Sequence, residues 1–239
     1  MKLLFKVFLL SLFVISFAVN TWAIPTDING NVIPNTEGYY WLDAAYWTPT
    51  DLTTGSDGSS LFEIEVEQAA YESDFGLFIV DDIANPTSIL ETFEIFSYDE
   101  EVGVKKHIYF RDNSGTWQVT LGNPSISTTT WTNFDNQFGF YYGVHTGGAS
   151  DTSVDYTYYS DWGFNTVNVG EQHVAIEYNG LASINVYLED LINPDWDWSD
   201  MTVFGDDLAP VPEPTTILLS GLGLLGMCAF LRRKRGKNV

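Results

Sequence analysis

The chain has 239 residues, with 32 acidic against 10 basic side chains and a formal net charge of −22 at pH 7. Most of its basic residues lie near the two ends, so 31 acids face only Lys105, Lys106 and Arg111 between Ile24 and Pro210, a net −28 with neutral histidines. That balance excludes nucleic acid as a partner, because phosphates need cations, and it opposes bare contact with anionic lipid or acidic polysaccharide unless a divalent cation intervenes.

At the start of the chain, Lys2 and Lys6 precede an apolar stretch from Val7 to Val19. Thr21-Trp22-Ala23 then offers small residues where a signal peptidase reads. Residues 1–23 are therefore expected to be a secretory signal peptide, cut after Ala23 and taking no part in the fold.

Residues 24–210 carry the pattern of one all-β domain. In Leu61-Phe62-Glu63-Ile64-Glu65-Val66-Glu67, period two sets Phe62, Ile64 and Val66 on one face and the glutamates on the other. Val102, Val104, Ile108 and Phe110 share a phase, as do Val174, Ile176 and Tyr178, and then Ile184, Val186 and Leu188. Turn signals separate the runs at Asn85-Pro86, Asp112-Asn113-Ser114-Gly115, Gly122-Asn123-Pro124, Gly147-Gly148 and Asn179-Gly180. Asn179-Gly180 between two alternating runs predicts a hairpin. Many short strands with no helical period predict an antiparallel β-sandwich of jelly-roll-like form. The single cysteine, Cys228, lies outside this region, so roughly 185 residues must fold on apolar burial without a disulfide. A short internal echo, Phe75-Gly76-Leu77-Phe78 and Phe138-Gly139-Phe140-Tyr141, fits two similar strands in opposed sheets, or chance.

The most chemically loaded segment runs from Leu188 to Asp200. Glu189, Asp190, Asp195, Asp197 and Asp200 place five carboxylates within twelve residues, after one predicted strand and before another at Met201–Phe204. Such a group repels itself unless neutralised. Calcium, a hard cation taking six to eight oxygens in flexible geometry, is the matching ligand; the plain alternative is a solvated acidic loop. The loop is not an EF-hand, since Asp200 stands where the required glycine would be. Glu189 and Asp197 also allow a glycoside hydrolase pair, a lesser reading because acidic clusters more often hold metal. No catalytic residue is assigned. His107, His145 and His173 are too scattered for a zinc signature, and His173 reads as a structural hydrogen-bonding group. Most tryptophans are expected to fill the core. Trp196 and Trp198, interleaved with the acids, are candidates for stacking on sugar rings.

The tail is Val211-Pro212-Glu213-Pro214, an apolar run over 215–231, then Arg232, Arg233, Lys234 and Arg235. Seventeen residues lie at the short limit for a bilayer span, and the basic end stays cytoplasmic, which leaves the acidic domain outside. A permanent anchor is one reading. The combination resembles the PEP-CTERM sorting signal of bacterial exported proteins. That resemblance implies recognition and cleavage by an exosortase, a membrane cysteine protease-transpeptidase.

A second resemblance covers Phe138 to Asp207. Glu189-Asp190-Leu191, then Asp195, Asp197, Trp198 and Asp200, is similar to the E-D-L…D-x-D-x-N-D signature of an uncharacterised domain family of bacterial surface proteins. Ser199 replaces the usual asparagine. Phe138-Gly139-Phe140-Tyr141, Tyr159-Ser160-Asp161, Asn165 and His173 follow the same order. This resemblance implies a β-sandwich with an acidic, cation-binding corner and no assigned reaction.

The expectation is a signal peptide (1–23), an acidic β-sandwich (24–210) and a sorting segment (211–239) comprising motif 211–214, membrane helix 215–231 and basic tail 232–239. The protein is expected to be anchored transiently, then released to the cell surface or matrix. There it is expected to serve as a calcium-stabilised adhesive or structural module on exopolysaccharide or other surface proteins, or as a calcium-dependent, lectin-like carbohydrate-binding module.

Overall fold

The computed structural model describes residues 44–51, 58–67, 71–112, 116–122, 127–132, 134–147, 152–178, 182–193, 198 and 200–211. The predicted signal peptide and the predicted membrane run at 215–231 lie outside them. No described helix is long and apolar enough to cross a membrane.

The described strands are β1 (Trp47–Pro49), β2 (Gly58–Glu67), β3 (Glu72–Val80), β4 (Ile89–Phe96), β5 (Lys105–Asp112), β6 (Trp117–Leu121), β7 (Ser127–Trp131), β8 (Gly139–His145), β9 (Tyr156–Tyr159), β10 (Val174–Tyr178), β11 (Ile184–Leu188), β12 (Met201–Asp206) and β13 (Leu208–Pro210). One turn of 3-10 helix occupies Trp162–Phe164. The fold is all-β and antiparallel, with the sheets of a β-sandwich. A seven-stranded sheet of order β10-β11-β12-β2-β5-β6-β7 accompanies a four-stranded sheet of order β4-β3-β8-β9. A two-stranded ribbon, β1-β13, stands beside them.

Alternation explains the layers. Phe62 and Ile64 of β2, Ile108 and Phe110 of β5, and Ile184, Val186 and Leu188 of β11 are fully buried in one core. The four-stranded sheet adds Phe75, Leu77, Phe140 and Tyr142. Rings dominate: Phe75 stacks on Phe140 at 5.6 Å, and Phe110 stacks on Phe138 at 5.6 Å and on Phe134 at 5.4 Å. Each fully buried ring contributes about 2–3 kcal/mol of transfer free energy. β10 and β11 pair antiparallel as the predicted hairpin requires, with Tyr178 opposite Ile184, and the Asn179-Gly180 turn itself lies outside the described residues.

Two expected core positions move. Val66 lies beyond a bulge at which Thr202 pairs with Val66 but Val203 with Ile64, so β2 gains one unpaired residue and Val66 loses the core phase. Val102 is 54% exposed, because it falls in the turn before β5 rather than in the strand.

The internal echo lies within one sheet, not two. β3 pairs with β8 so that Gly76 faces Tyr141 and Phe78 faces Gly139. A Cβ on Gly76 would stand 2.5 Å from the Tyr141 ring, and one on Gly139 would stand 2.3 Å from the Phe78 ring. Each glycine makes room for the aromatic ring of the other segment.

Beyond that face Tyr46, Phe78 and Val80 form a smaller buried cluster, against which Tyr141, Tyr159, Phe164 and Val211 pack. The sandwich therefore has two ends that matter. At one, Leu188 pairs with Met201 and closes the acidic loop between β11 and β12. At the other, β12 ends, Asp207 turns the chain at φ 60°, and β13 carries it into the ribbon.

Candidate cation-binding site

Pairing of Leu188 with Met201 brings the start and finish of the acidic loop together. Glu189 and Asp190 are fully buried and Asp200 is 8% exposed. One carboxylate oxygen from each of the three lies within 4.8 Å of the others. Among the described residues this is the one group of three or more histidine, cysteine or acidic side chains that could hold a metal ion.

The backbone fixes the arrangement. The Asp190 amide donates to Asp200 Oδ2 at 2.7 Å, which draws the two loop ends together. The Tyr71 amide donates to Asp190 Oδ2 at 3.1 Å, and the Leu191 amide donates to Glu189 Oε1 at 3.2 Å. Tyr156 donates its hydroxyl to the Asp190 carbonyl at 2.7 Å, and Asn168 donates to the Ile192 carbonyl at 2.8 Å. His173 Nδ1 lies 3.1 Å from the Glu189 carbonyl, and its ring stacks on Tyr158 at 3.8 Å. The loop is thus held from β9 and from the segments that precede β10 and β3.

Little positive charge offsets these acids. Burial pushes the His173 imidazole down to about 4 against the opposing pull of the Glu189 carbonyl, so it is neutral at pH 7. Lys105 pairs with Glu63, Lys106 pairs with Glu100, and Arg111 lies over the Tyr109 ring, 5.8 Å from its centroid. The Tyr142 phenol is held well above its ordinary range, first by burial and then by the Asp190 charge, so it remains a neutral hydroxyl. Three buried carboxylates form an oxygen-rich group suited to a hard cation.

Of the five predicted ligands, Glu189, Asp190 and Asp200 converge. Asp195 and Asp197 lie outside the described residues, as does Trp196, so the Glu189–Asp197 spacing that would bear on hydrolysis is not described. Trp198 is fully buried, with a left-handed φ of 59°. Buried in this way, its indole presents no exposed face to a sugar ring. Trp47 and Trp131 are also fully buried, as expected of core tryptophans.

Sequence reasoning missed Tyr71, Tyr142, Tyr156, Tyr158 and Asn168 as the surround of this loop. The alternation of Tyr156 and Tyr158 was a usable sign of two rings on one face, but not of what they would touch. A second polar pair also went unread. His145 Nε2 lies 3.0 Å from Asp74 Oδ2, with both residues buried, and Asp74 Oδ1 accepts from the Tyr98 amide at 2.9 Å.

Residues 210–235 match the PEP-CTERM protein-sorting motif. No curated protein and no solved structure matches the chain. The motif marks an exported protein handled by an exosortase, held by a C-terminal signal at the membrane and then placed at the surface. The match falls on the tail and its junction with β13, and it carries no information about the work of the sandwich.

Proposed function

We propose that the sandwich is a calcium-stabilised adhesive or structural module of the cell surface or extracellular matrix, associated with exopolysaccharide and without catalytic activity. Glu189, Asp190 and Asp200 hold the ion, with Asp195 and Asp197 completing the set from the same loop. The observation that carries this reading is the burial of three carboxylates within 4.8 Å of one another. Each ionised pair at that separation repels by roughly 3 kcal/mol at an effective dielectric near 20. A neutral His173 relieves none of it, and a bound dication relieves all of it. Calcium suits the donors better than zinc or copper, because every available oxygen is hard and no thiolate or free imidazole joins them. Bound to the folded state alone, the ion ties β11, β12 and the entry to β3 together. It also lets an acidic surface meet the carboxylates of a polysaccharide.

Thermal unfolding of the exported domain in calcium and in chelator tests the metal. With calcium at about 100 times its dissociation constant, stabilisation is about 2.7 kcal/mol, which raises Tm by roughly 5–10 °C. Asp190→Asn is expected to abolish the shift. A Tm that ignores calcium sinks the metal reading. Cosedimentation with exopolysaccharide, with and without calcium, tests the association, and release of reducing sugar would replace it with hydrolysis.

A further inference from the structure

The last described residues leave no slack between the fold and the sorting signal. The motif match begins at Pro210, which is still a residue of β13. Trp47 pairs with Pro210, Thr48 with Ala209 and Pro49 with Leu208. Beyond both ends of this register the ribbon continues: Thr50 donates to the Asp207 carbonyl at 2.8 Å, and Val211 donates to the Tyr46 carbonyl at 2.9 Å. Hydrogen-bonded and non-hydrogen-bonded pairs alternate in an antiparallel ladder, so Pro49 and Pro210 both fall in non-hydrogen-bonded pairs, where no N–H is required. The free edge of Trp47 exchanges two bonds with Phe138, of 2.7 and 2.9 Å. The Tyr46 hydroxyl donates to Asp161 Oδ2 at 2.7 Å, and Val211 packs into the cluster of Tyr46, Phe78 and Val80. Val211, the first residue of the sorting segment, is thus pinned by backbone and side chain together.

Only Pro212, Glu213 and Pro214 separate Val211 from Thr215, four Cα–Cα steps further on, where the apolar run begins. Fully extended, that stretch spans about 14 Å. A membrane-bound protease-transpeptidase must draw the bond it cuts into its own site, with free chain on both sides. Chain paired in a sheet meets that need only through local opening, and cleavage then follows the population of the open form.

We infer that the β1–β13 ribbon is a latch on the sorting signal. Closed, it holds Val211 against Tyr46 and keeps the scissile region short of the enzyme; processing runs from the form in which β13 has peeled away from β1. This rests on the reading of the tail as an exosortase substrate.

The test uses the full chain, expressed with an exosortase, in a Cys228→Ala background that leaves no native thiol. Thr48 and Ala209 face each other as a hydrogen-bonded pair, whose usual Cα separation near 5.5 Å suits a disulfide. T48C/A209C, with its bond confirmed by mass, is expected to lose its tail about tenfold more slowly than either single variant. Inserting about ten Gly and Ser residues between Val211 and Pro212 is expected to restore the rate of the locked chain, which separates reach from misfolding. A locked chain processed as fast as the single variants overturns the latch, and so does a spacer that fails to restore the rate. A parent chain that keeps its tail overturns the sorting reading and the latch with it.

Discussion

At the Met201 end of β12 the chain is fastened by carboxylates that accept backbone amides; at the Leu208 end it is fastened by rings and a strand ladder. Glu189, Asp190 and Asp200 are buried charge, costly in itself and stabilising only with a counterion. Trp47 and Leu208 are buried hydrocarbon, stabilising without any partner ion. The fold therefore combines a charged end with an aromatic end. Under the proposed function ligand binding enters stability at the first, and under the inferred latch the tail is gripped at the second.

The sharpest attempt to break this contrast is Trp47→Ala. Trp47 is fully buried, its Nε1 donates to the Ala44 carbonyl at 3.0 Å, and its backbone bridges β13 to Phe138. Its loss is expected to cost about 3–5 kcal/mol in urea unfolding, while leaving the calcium-induced rise in Tm intact. Loss of that rise would mean that the two ends are coupled.

Next in size is a pH effect confined to the acidic end. His173 has its folded pKa depressed to about 4, below an unfolded value near 6.5, so the unfolded chain binds the proton first. Its contribution is complete above about pH 6.5 and is lost progressively as pH falls toward 4, to a limit of roughly 3 kcal/mol. His173→Asn is expected to flatten the stability profile between pH 4 and 6.5 when both proteins are held in chelator. An unchanged slope would place the titration elsewhere.

The smallest effect belongs to Tyr46→Phe. Removing the hydroxyl that donates to Asp161 is expected to cost about 1 kcal/mol in chemical denaturation, equally in calcium and in chelator. A calcium-dependent cost would blur the division between the ends.

Most of the seven-stranded sheet was legible because its strands obey period two. Phe62 and Ile64, Val174 and Ile176, and Ile184 to Leu188 announce their inward faces, and Asn179-Gly180 announces the hairpin between two of the strands. The bulge that displaces Val66 was not legible, since an extra residue leaves no mark on polarity. The ribbon escaped notice because three-residue strands carrying Pro49 and Pro210 look like loop until their register is known. The repeated glycine segments were visible as a repeat, but their mutual fit depends on β3 and β8 being neighbours, which is a matter of topology. At the acidic site, the local density of carboxylates was plain, and three of them meet. The tyrosines and His173 around them come from residues 71 to 173 and are joined to the loop only by folding. Trp198 misled because a place among acidic residues does not say whether an indole is exposed or buried.

The six residues of β12 set a distance between the two ends that bears on ionic conditions. At the usual strand rise they span about 20 Å, more than two Debye lengths at physiological ionic strength. Val211 leads into the sorting motif, and the carboxylate loop lies at the far end of the strand. A charge at one end of β12 is therefore largely screened from a charge at the other. Cation binding at the acidic end is therefore expected to answer to the bulk medium and not to charges brought up to the Val211 end.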